Sequence, residues 1–311
     1  GRPDALLAIA ERAEALGFAC LWTADHLVLP IESSTWYPYL PGLQVRPDPR
    51  HAFLDPMIAL AGIATRTRRI RLGVSVYLAA LRHPIVAAKL VASLDRLSEG
   101  RVCLGVGSGW IPEEYATLGI EFSERGRVLD DHLASLRALW SQEAPVHRGP
   151  WFAFDNIGFE PKPVQDPLPI WIGGNSRPAR RRAARLGDGW HVIDLSAKAL
   201  EPGRDDLHRL CDEVGRSPSE VPISMRAQIT LTERPLPPDR PAIPLIGPRD
   251  RVLDEMHALR ELGLAHLALW PSAREIELEA YLEAMDRIAS DIAPALGIGL
   301  ASDQDVETRP R

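Results

Sequence analysis

Apolar positions along the chain fall into two alternating rhythms. Leu6, Ile9, Ala10, Ala13 and Leu16 recur at helical spacing and Gly17 follows as a stop, which predicts a helix over residues 3–16. The run Ala19-Cys20-Leu21-Trp22-Thr23 is continuously apolar and ends at Asp25-His26, as a strand buried on both faces would. The pair then repeats. A helix over 56–65 leads to a strand over 70–76. Pro84 opens a helix carrying Val86, Leu90, Leu94 and Leu97, which Gly100 ends; the strand 102–106 follows. After the turn Gly107-Ser108-Gly109 come a helix over 124–140, a strand over 169–172 and a helix over 177–186. The strand 189–193, helix 197–214, strand 223–231, helix 249–262, strand 266–270 and helix 274–292 complete the series.

Strands alternating with helices of this length imply a parallel sheet. The series starts on a helix and closes on a strand–helix pair. It therefore reads as a (β/α)8 barrel whose first strand is missing from this chain, a single domain over residues 1–297 followed by a polar, flexible tail over 298–311. An unpaired barrel edge on each side of the missing strand is the expected consequence. Three stretches interrupt the rhythm. Residues 27–55 are Pro-rich and too long for an idle connection, so they read as a functional loop. Residues 145–169 carry aromatic and turn residues that predict a short hairpin, and 232–247 form a second Pro-rich loop.

Composition narrows the function classes. With 45% hydrophobic and 25% charged residues the chain has the make-up of a soluble globular protein, and its charge of −6, mixed along the sequence, excludes a general nucleic-acid binder. Cys20, Cys103 and Cys211 all fall in apolar runs, and an odd count without a CxxC or Cys/His cluster reads as reduced thiols rather than disulfides or zinc ligands. No stretch reaches the ~20 apolar residues of a membrane span, and the N-terminus lacks a secretory layout. The expectation is a cytoplasmic protein with no membrane or nucleic-acid partner.

In a barrel, chemistry sits at the C-terminal strand ends. Asp25-His26, Ser75-Val76 with Tyr77, Gly107-Ser108-Gly109-Trp110 and Gly173-Gly174-Asn175 would all converge on that rim. His26 is the natural acid/base group because imidazole titrates near neutrality, and Asp25 can orient it or bond a coenzyme ring; a solvated histidine beside a capping aspartate is the plainer alternative. The Gly107–Gly109 turn allows close approach of backbone N–H groups to a planar ring or anion, or is an ordinary βα turn. GVGSGW does not complete a GxGxxG fingerprint. Gly173-Gly174-Asn175-Ser176 precedes a helix whose start can take a phosphate, unless Asn175 or Ser176 merely caps it. Arg180-Arg181-Arg182 reads as a solvated face. Trp36, Tyr37, Tyr39 and Trp110 either wall an apolar pocket or pack a long loop.

The stretches LGFACLWTADHLVLP, RIRLGVSVYLAALRHPIVAAKLVASLDRLSEGRVCLGVGSGW and EPKPVQDPLPIWIGG with RRAARLGDGW resemble the luciferase-like monooxygenase superfamily, and within it the deazaflavin (F420)-dependent oxidoreductases. The resemblance runs from Ala5 to Pro294. It implies a (β/α)8 barrel of that type and a coenzyme F420-dependent hydride transfer to or from a small organic substrate. It implies roles too: His26 for proton transfer and Asp25 beside the coenzyme ring. Ser75-Val76 would be a non-proline cis peptide backing the ring, with Gly107, Ser108 and Gly109 beside it, and Gly173, Gly174 and Asn175 would lie along the coenzyme's side chain or phosphate. A homodimer is the assembly it suggests. Trp110 stands where sugar-phosphate dehydrogenases of that branch carry Glu, which argues against a sugar phosphate. The rivals are an FMN-dependent monooxygenase on the same barrel and a non-catalytic flavin-binding or structural barrel.

Overall fold

In the computed structural model, which describes residues 3–39, 46–236, 243–271 and 277–300, a parallel sheet curls around a packed interior. Helix α1 (Pro3–Ala15) leads into β1 (Cys20–Thr23). The 27–55 loop, as far as it is described, carries neither helix nor strand. Then follow α2 (Pro56–Arg66), β2 (Arg71–Tyr77), α3 (Pro84–Leu97), β3 (Val102–Val106), α4 (Pro112–Thr117) and α5 (Arg125–Ser141). Strands β4 (His147–Arg148) and β5 (Ala153–Phe154) form the expected hairpin. Next come β6 (Ile170–Gly173), α6 (Arg177–Leu186), β7 (Gly189–Ile193), α7 (Ala197–Glu213), β8 (Ile223–Leu231), β9 (Leu245–Gly247), α8 (Arg249–Glu261), β10 (Leu264–Pro271) and α9 (Leu278–Arg287). Residues 274–276 of the predicted last helix and the 301–311 tail lie outside the described residues.

The sheet order is β1-β2-β3-β6-β7-β8-β10, every pair parallel, with β9 added on β8. The sequence gives little warning of α4 or of β9. Both are too short for a period to show and both sit beside prolines. The edge strands β1 and β10 are not hydrogen-bonded to each other. The space between them is apolar, lined by Leu6 and Ile9 of α1, Leu267 and Leu269 of β10, and Tyr281 and Met285 of α9.

Local chemistry sets the helix starts. Asp55 accepts from Met57 N (2.9 Å) and Ile58 N (3.3 Å) ahead of Pro56, and Ser176 accepts from Ala179 N ahead of α6. On α3 the buried face is Ala87, Ala88, Val91 and Leu94, whereas Val86 and Leu97 are exposed. The predicted stripe is thus off by one position at both ends: a row of small residues lets the helix approach the sheet closely, and the larger aliphatics are left at its margin.

Inside the curl, Trp22 is the largest obstacle and the neighbouring strands yield to it. A Cβ on Gly73 would stand 2.5 Å from the Trp22 ring, and one on Gly105 would stand 2.2 Å from Val74 O. The other face of Trp22 stacks on His191, centroids 4.9 Å apart. His191 is fully buried and neutral: Nε2 meets Ser75 Oγ at 2.8 Å and Nδ1 meets Ser224 Oγ at 2.9 Å, which also meets His266 Nδ1 at 2.9 Å. Burial first, then the positive charges of His266 and Arg226, push the His191 pKa down to about 3.

Two outcomes follow from this interior. Gly73→Ala drives a methyl into a ring that His191 holds from behind, and should lower stability by ~1–3 kcal/mol, read as a drop in the thermal midpoint; an unchanged midpoint would mean that Trp22 is free to move. His191 binds its proton far more readily when unfolded, so its contribution to stability is present above the unfolded pKa of ~6.5 and is lost as pH falls toward the folded value. His132, pushed down to about 4 chiefly by burial, acts in the same direction. Between pH 6 and pH 4, roughly, the stability of His191→Asn should fall less steeply than wild type, by ~1.4 kcal/mol per pH unit, in urea titrations; equal slopes would contradict the burial of a neutral ring.

Candidate functional site

A cavity of about 920 Å³ takes in both the gap between β1 and β10 and the C-terminal ends of the strands. Among its wall residues are Asp25, His26, Ser75, Val76, Gly107, Ser108, Gly109, Gly173 and Gly174, so the strand-end residues singled out in the sequence do meet around one space. Asn175 does not line it. Its amide is consumed in a double link to β7, Nδ2 donating to Ile193 O (2.8 Å) and Oδ1 accepting from Ile193 N (2.9 Å). Tyr37, Tyr39 and Trp110 wall the cavity with Phe53, whereas Trp36 lies outside it under Arg46.

His26 is oriented by Glu114, not by its neighbour Asp25. Nδ1 stands 2.9 Å from Glu114 Oε2, while Glu114 Oε1 accepts from Leu27 N at 2.7 Å and Val28 N at 3.4 Å. Glu114 is fully buried, so one carboxylate fixes both the imidazole and the first residues of the long loop. A carboxylate only accepts, so Nδ1 is the donor of this bond, and Nε2 has no partner among the described residues. Phe53 and Trp110 meet the ring edge-on. The residue before, Glu113, accepts from Ser33 Oγ at 2.8 Å, so the first turn of α4 clamps the loop twice.

Asp25 has a different occupation. Its oxygens take both arms of the Arg82 guanidinium at 2.7 and 2.9 Å and the N–H of Leu78 at 2.8 Å. The carboxylate is neutralised in place and joins the ends of β1 and β2. The charge it brings to the rim is therefore spent on Arg82 rather than on His26.

The glycines also have a reason that spacing alone did not show. Ser75-Val76 is a cis peptide, and the β2–β3 register shifts across it. The Val76 side chain wedges between the turns after β3 and β6: a Cβ on Gly107 would lie 2.3 Å from Val76 Cγ2, and one on Gly173 would lie 2.4 Å from Cγ1. The N–H of Gly107 is bonded to Tyr77 O and that of Gly174 to His191 O, so neither is free for a ligand. Gly109 takes φ +67° and its Cβ would meet the Tyr115 ring at 2.9 Å, whose hydroxyl donates to Ser108 O at 2.6 Å. These glycines bring Val76 up under the cavity and seat the β3 turn on α4.

At the other end of the cavity lie Gly174, Ser176, Ala179 and Arg125. Arg125 stacks over Phe122 and donates Nη1 to Phe122 O, but its buried Nε has no partner among the described residues. An orphaned guanidinium N–H beside a helix start is a donor set for a phosphate oxygen. The wall residues thus fit a planar ring over Val76 with a phosphate-bearing chain running toward α6. The arginine run on α6 divides: Arg181 is exposed, Arg180 pairs with Asp206, and Arg182, buried, pairs with Asp130 and donates to Gly126 O.

Sequence spacing could not supply Glu114, Arg82 or Arg125. Pro112 followed by two acids is a helix-start signal, yet nothing in it tells which acid turns inward.

Comparison with known proteins agrees with this architecture. The family model of the luciferase-like monooxygenases matches residues 1–236. An uncharacterised protein of Mycobacterium tuberculosis is 32% identical over 275 residues, covering 84% of this chain and 93% of the relative. The FMNH2-dependent dimethylsulfone monooxygenase of Pseudomonas fluorescens is 37% identical over 128 residues, which is 40% of this chain and 35% of that enzyme. The coenzyme F420-dependent tetrahydromethanopterin reductase of Methanopyrus kandleri shares the fold with a TM-score of 0.71 at 16% identity, over 94% of this chain and 96% of that one. The chain belongs to the luciferase-like monooxygenase family, a family of oxidoreductases and monooxygenases on this curled parallel α/β sheet.

Proposed function

We propose that the protein is a coenzyme F420-dependent oxidoreductase that moves a hydride between the deazaflavin and a small organic substrate. The observation that carries the reading is the Glu114–His26 pair at the cavity wall, an imidazole held by a buried carboxylate with Nε2 unengaged. The bound deazaflavin supplies a carbon centre that gives or takes a hydride. Such a transfer to a carbonyl, or from an alcohol, needs a proton delivered to or removed from the substrate oxygen. His26 Nε2 takes the alcohol proton in one direction, and the imidazolium returns it in the other, with Glu114 stabilising the charge that forms on the ring.

The rest of the wall positions and excludes. Val76 would support the ring, Arg125, Ser176 and the start of α6 would hold the phosphate-bearing chain, and the loop clamped by Glu113 and Glu114 would shield the reacting atoms from water. Asn175 acts behind this wall by tying the α6 turn to β7.

A second reading, an FMN-dependent monooxygenase, is favoured by the 37% identity to the dimethylsulfone monooxygenase over 128 residues. Titration of the purified protein with F420 and with FMN, followed by coenzyme fluorescence, separates the two. F420 should bind and FMN should bind at least about tenfold more weakly, a difference of ~1.4 kcal/mol; tight FMN binding without F420 binding reverses the assignment. With F420 bound, His26→Gln should leave coenzyme affinity within about threefold and lower kcat by ~10²–10⁴. Glu114→Gln should lower kcat by ~10–100-fold through the orientation of the ring. Unaltered turnover in His26→Gln would remove the histidine from the chemistry.

A further inference from the structure

Two polar groups on the cavity wall remain unassigned once His26, Asp25 and the α6 end are accounted for. Arg226 rises from β8, and its guanidinium lies 4.6 Å over the Trp270 ring of β10. Among the described residues the guanidinium makes no hydrogen bond and no ion pair. Tyr37 enters from the long loop, packed edge-on against Tyr39 and Trp110, with a buried hydroxyl that has no partner among the described residues. Burial pushes the Tyr37 pKa up to about 12, with the nearby Arg226 charge pulling the other way, so the hydroxyl keeps its proton and donates.

Two other charges along this wall are committed. Asp25 is held by Arg82, and Arg182 is paired with Asp130. Asp194, at the end of β7 and behind the cavity wall, accepts from Gln228 N at 2.7 Å through Oδ1; its buried Oδ2 has no hydrogen bond among the described residues, and it feels the Arg226 charge without pairing with it. Around the two donors the wall is apolar and aromatic: Trp110, Ile193, Leu269 and Trp270. A planar guanidinium fork stacked on an indole is fixed in orientation and matches two oxygens at once. A buried phenol O–H without an acceptor is costly, and a ligand oxygen that accepts from Tyr37 while facing the guanidinium fork relieves that cost.

The geometry points to Arg226 and Tyr37 as the receptor for an anionic oxygen group of the carboxylate class, carried on an otherwise apolar body. The inference rests on the reading of this cavity as the reaction site, and it makes the substrate an apolar organic acid when the anion is the substrate's. The reduced coenzyme ring is the other source of negative oxygen that could face the same fork.

Calorimetric titration of the coenzyme-free protein with 4-phenylbutyrate and with its neutral amide, 4-phenylbutanamide, tests the receptor directly. The acid should bind at least about tenfold more tightly than the amide. Arg226→Met should bring the two within about twofold while leaving amide binding unchanged, and Tyr37→Phe should weaken the acid alone by about threefold or more. Thermal melting reports whether Arg226→Met folds. If it does not, Arg226→Lys, which keeps the charge and loses the fork, should weaken the acid by about threefold or more. Equal binding of acid and amide, no binding of the acid, or a preference that survives the Arg226 substitution overturns the inference.

Repeating the titration on protein saturated with reduced F420 identifies the source. A retained preference assigns the anion to the substrate, and a preference lost on saturation assigns it to the coenzyme ring. Failure of F420 to bind at all counts against the proposed function, whereas the acid-against-amide comparison stands without any coenzyme.

Discussion

Glu114 performs two tasks where water does not reach: one carboxylate oxygen faces the imidazole of His26, and the other gathers the N–H groups of Leu27 and Val28 as the chain leaves β1. A buried carboxylate without such donors would be strongly unfavourable, so the position of the long loop, the tautomer of His26 and the inward turn of α4 are set together. Tyr115, the next residue, extends the same helix under the β3 turn through Ser108 O. The loop walls Tyr37 and Phe53 and the β3-turn wall Trp110 therefore share one support.

A second constraint lies below. Val76 reaches upward between Gly107 and Gly173, and Trp22 fills the interior against Gly73 and His191. The large side chains are on β1 and β2 and the glycines that admit them are on β2, β3 and β6. This complementarity lets four strand ends approach one another closely enough to share a cavity, with a polar chain from Ser75 through His191 and Ser224 to His266 held beneath it. The neutral state of His191 follows chiefly from its burial, with both ring nitrogens bonded to hydroxyl groups.

The strand and helix order was legible because continuous apolar runs and helical spacing report burial directly, and His26, Ser75 and the glycine turns were legible because they fall where strands end. What the pattern could not carry was partnership across the fold. Asp25 and Glu114 are both acids near a helix or strand terminus, and only the packing shows that the first faces Arg82 and the second His26. Asn175 was placed with the coenzyme contacts because it follows two glycines, yet both ends of its amide are taken by Ile193. Gly107 was read as room for a ring and Gly173 as a contact to the coenzyme's side chain or phosphate, and the room at both is filled by Val76 methyl groups. Arg226 carried no signal at all: an arginine inside an apolar strand has no motif, and its meaning comes from Trp270 beneath it and the absence of a described partner.

The proposed ring site rests on the wall geometry and on family membership, and where a bound ring lies is what tests it. A crystal structure of the protein with coenzyme F420 bound is the most direct measurement. The account requires density for the deazaflavin ring above Val76, with its hydride-bearing carbon within reach of a substrate atom beside His26 Nε2 and its phosphate near Arg125 and Ser176. A ring bound elsewhere, or turned so that His26 faces the phosphate-bearing chain, would contradict it.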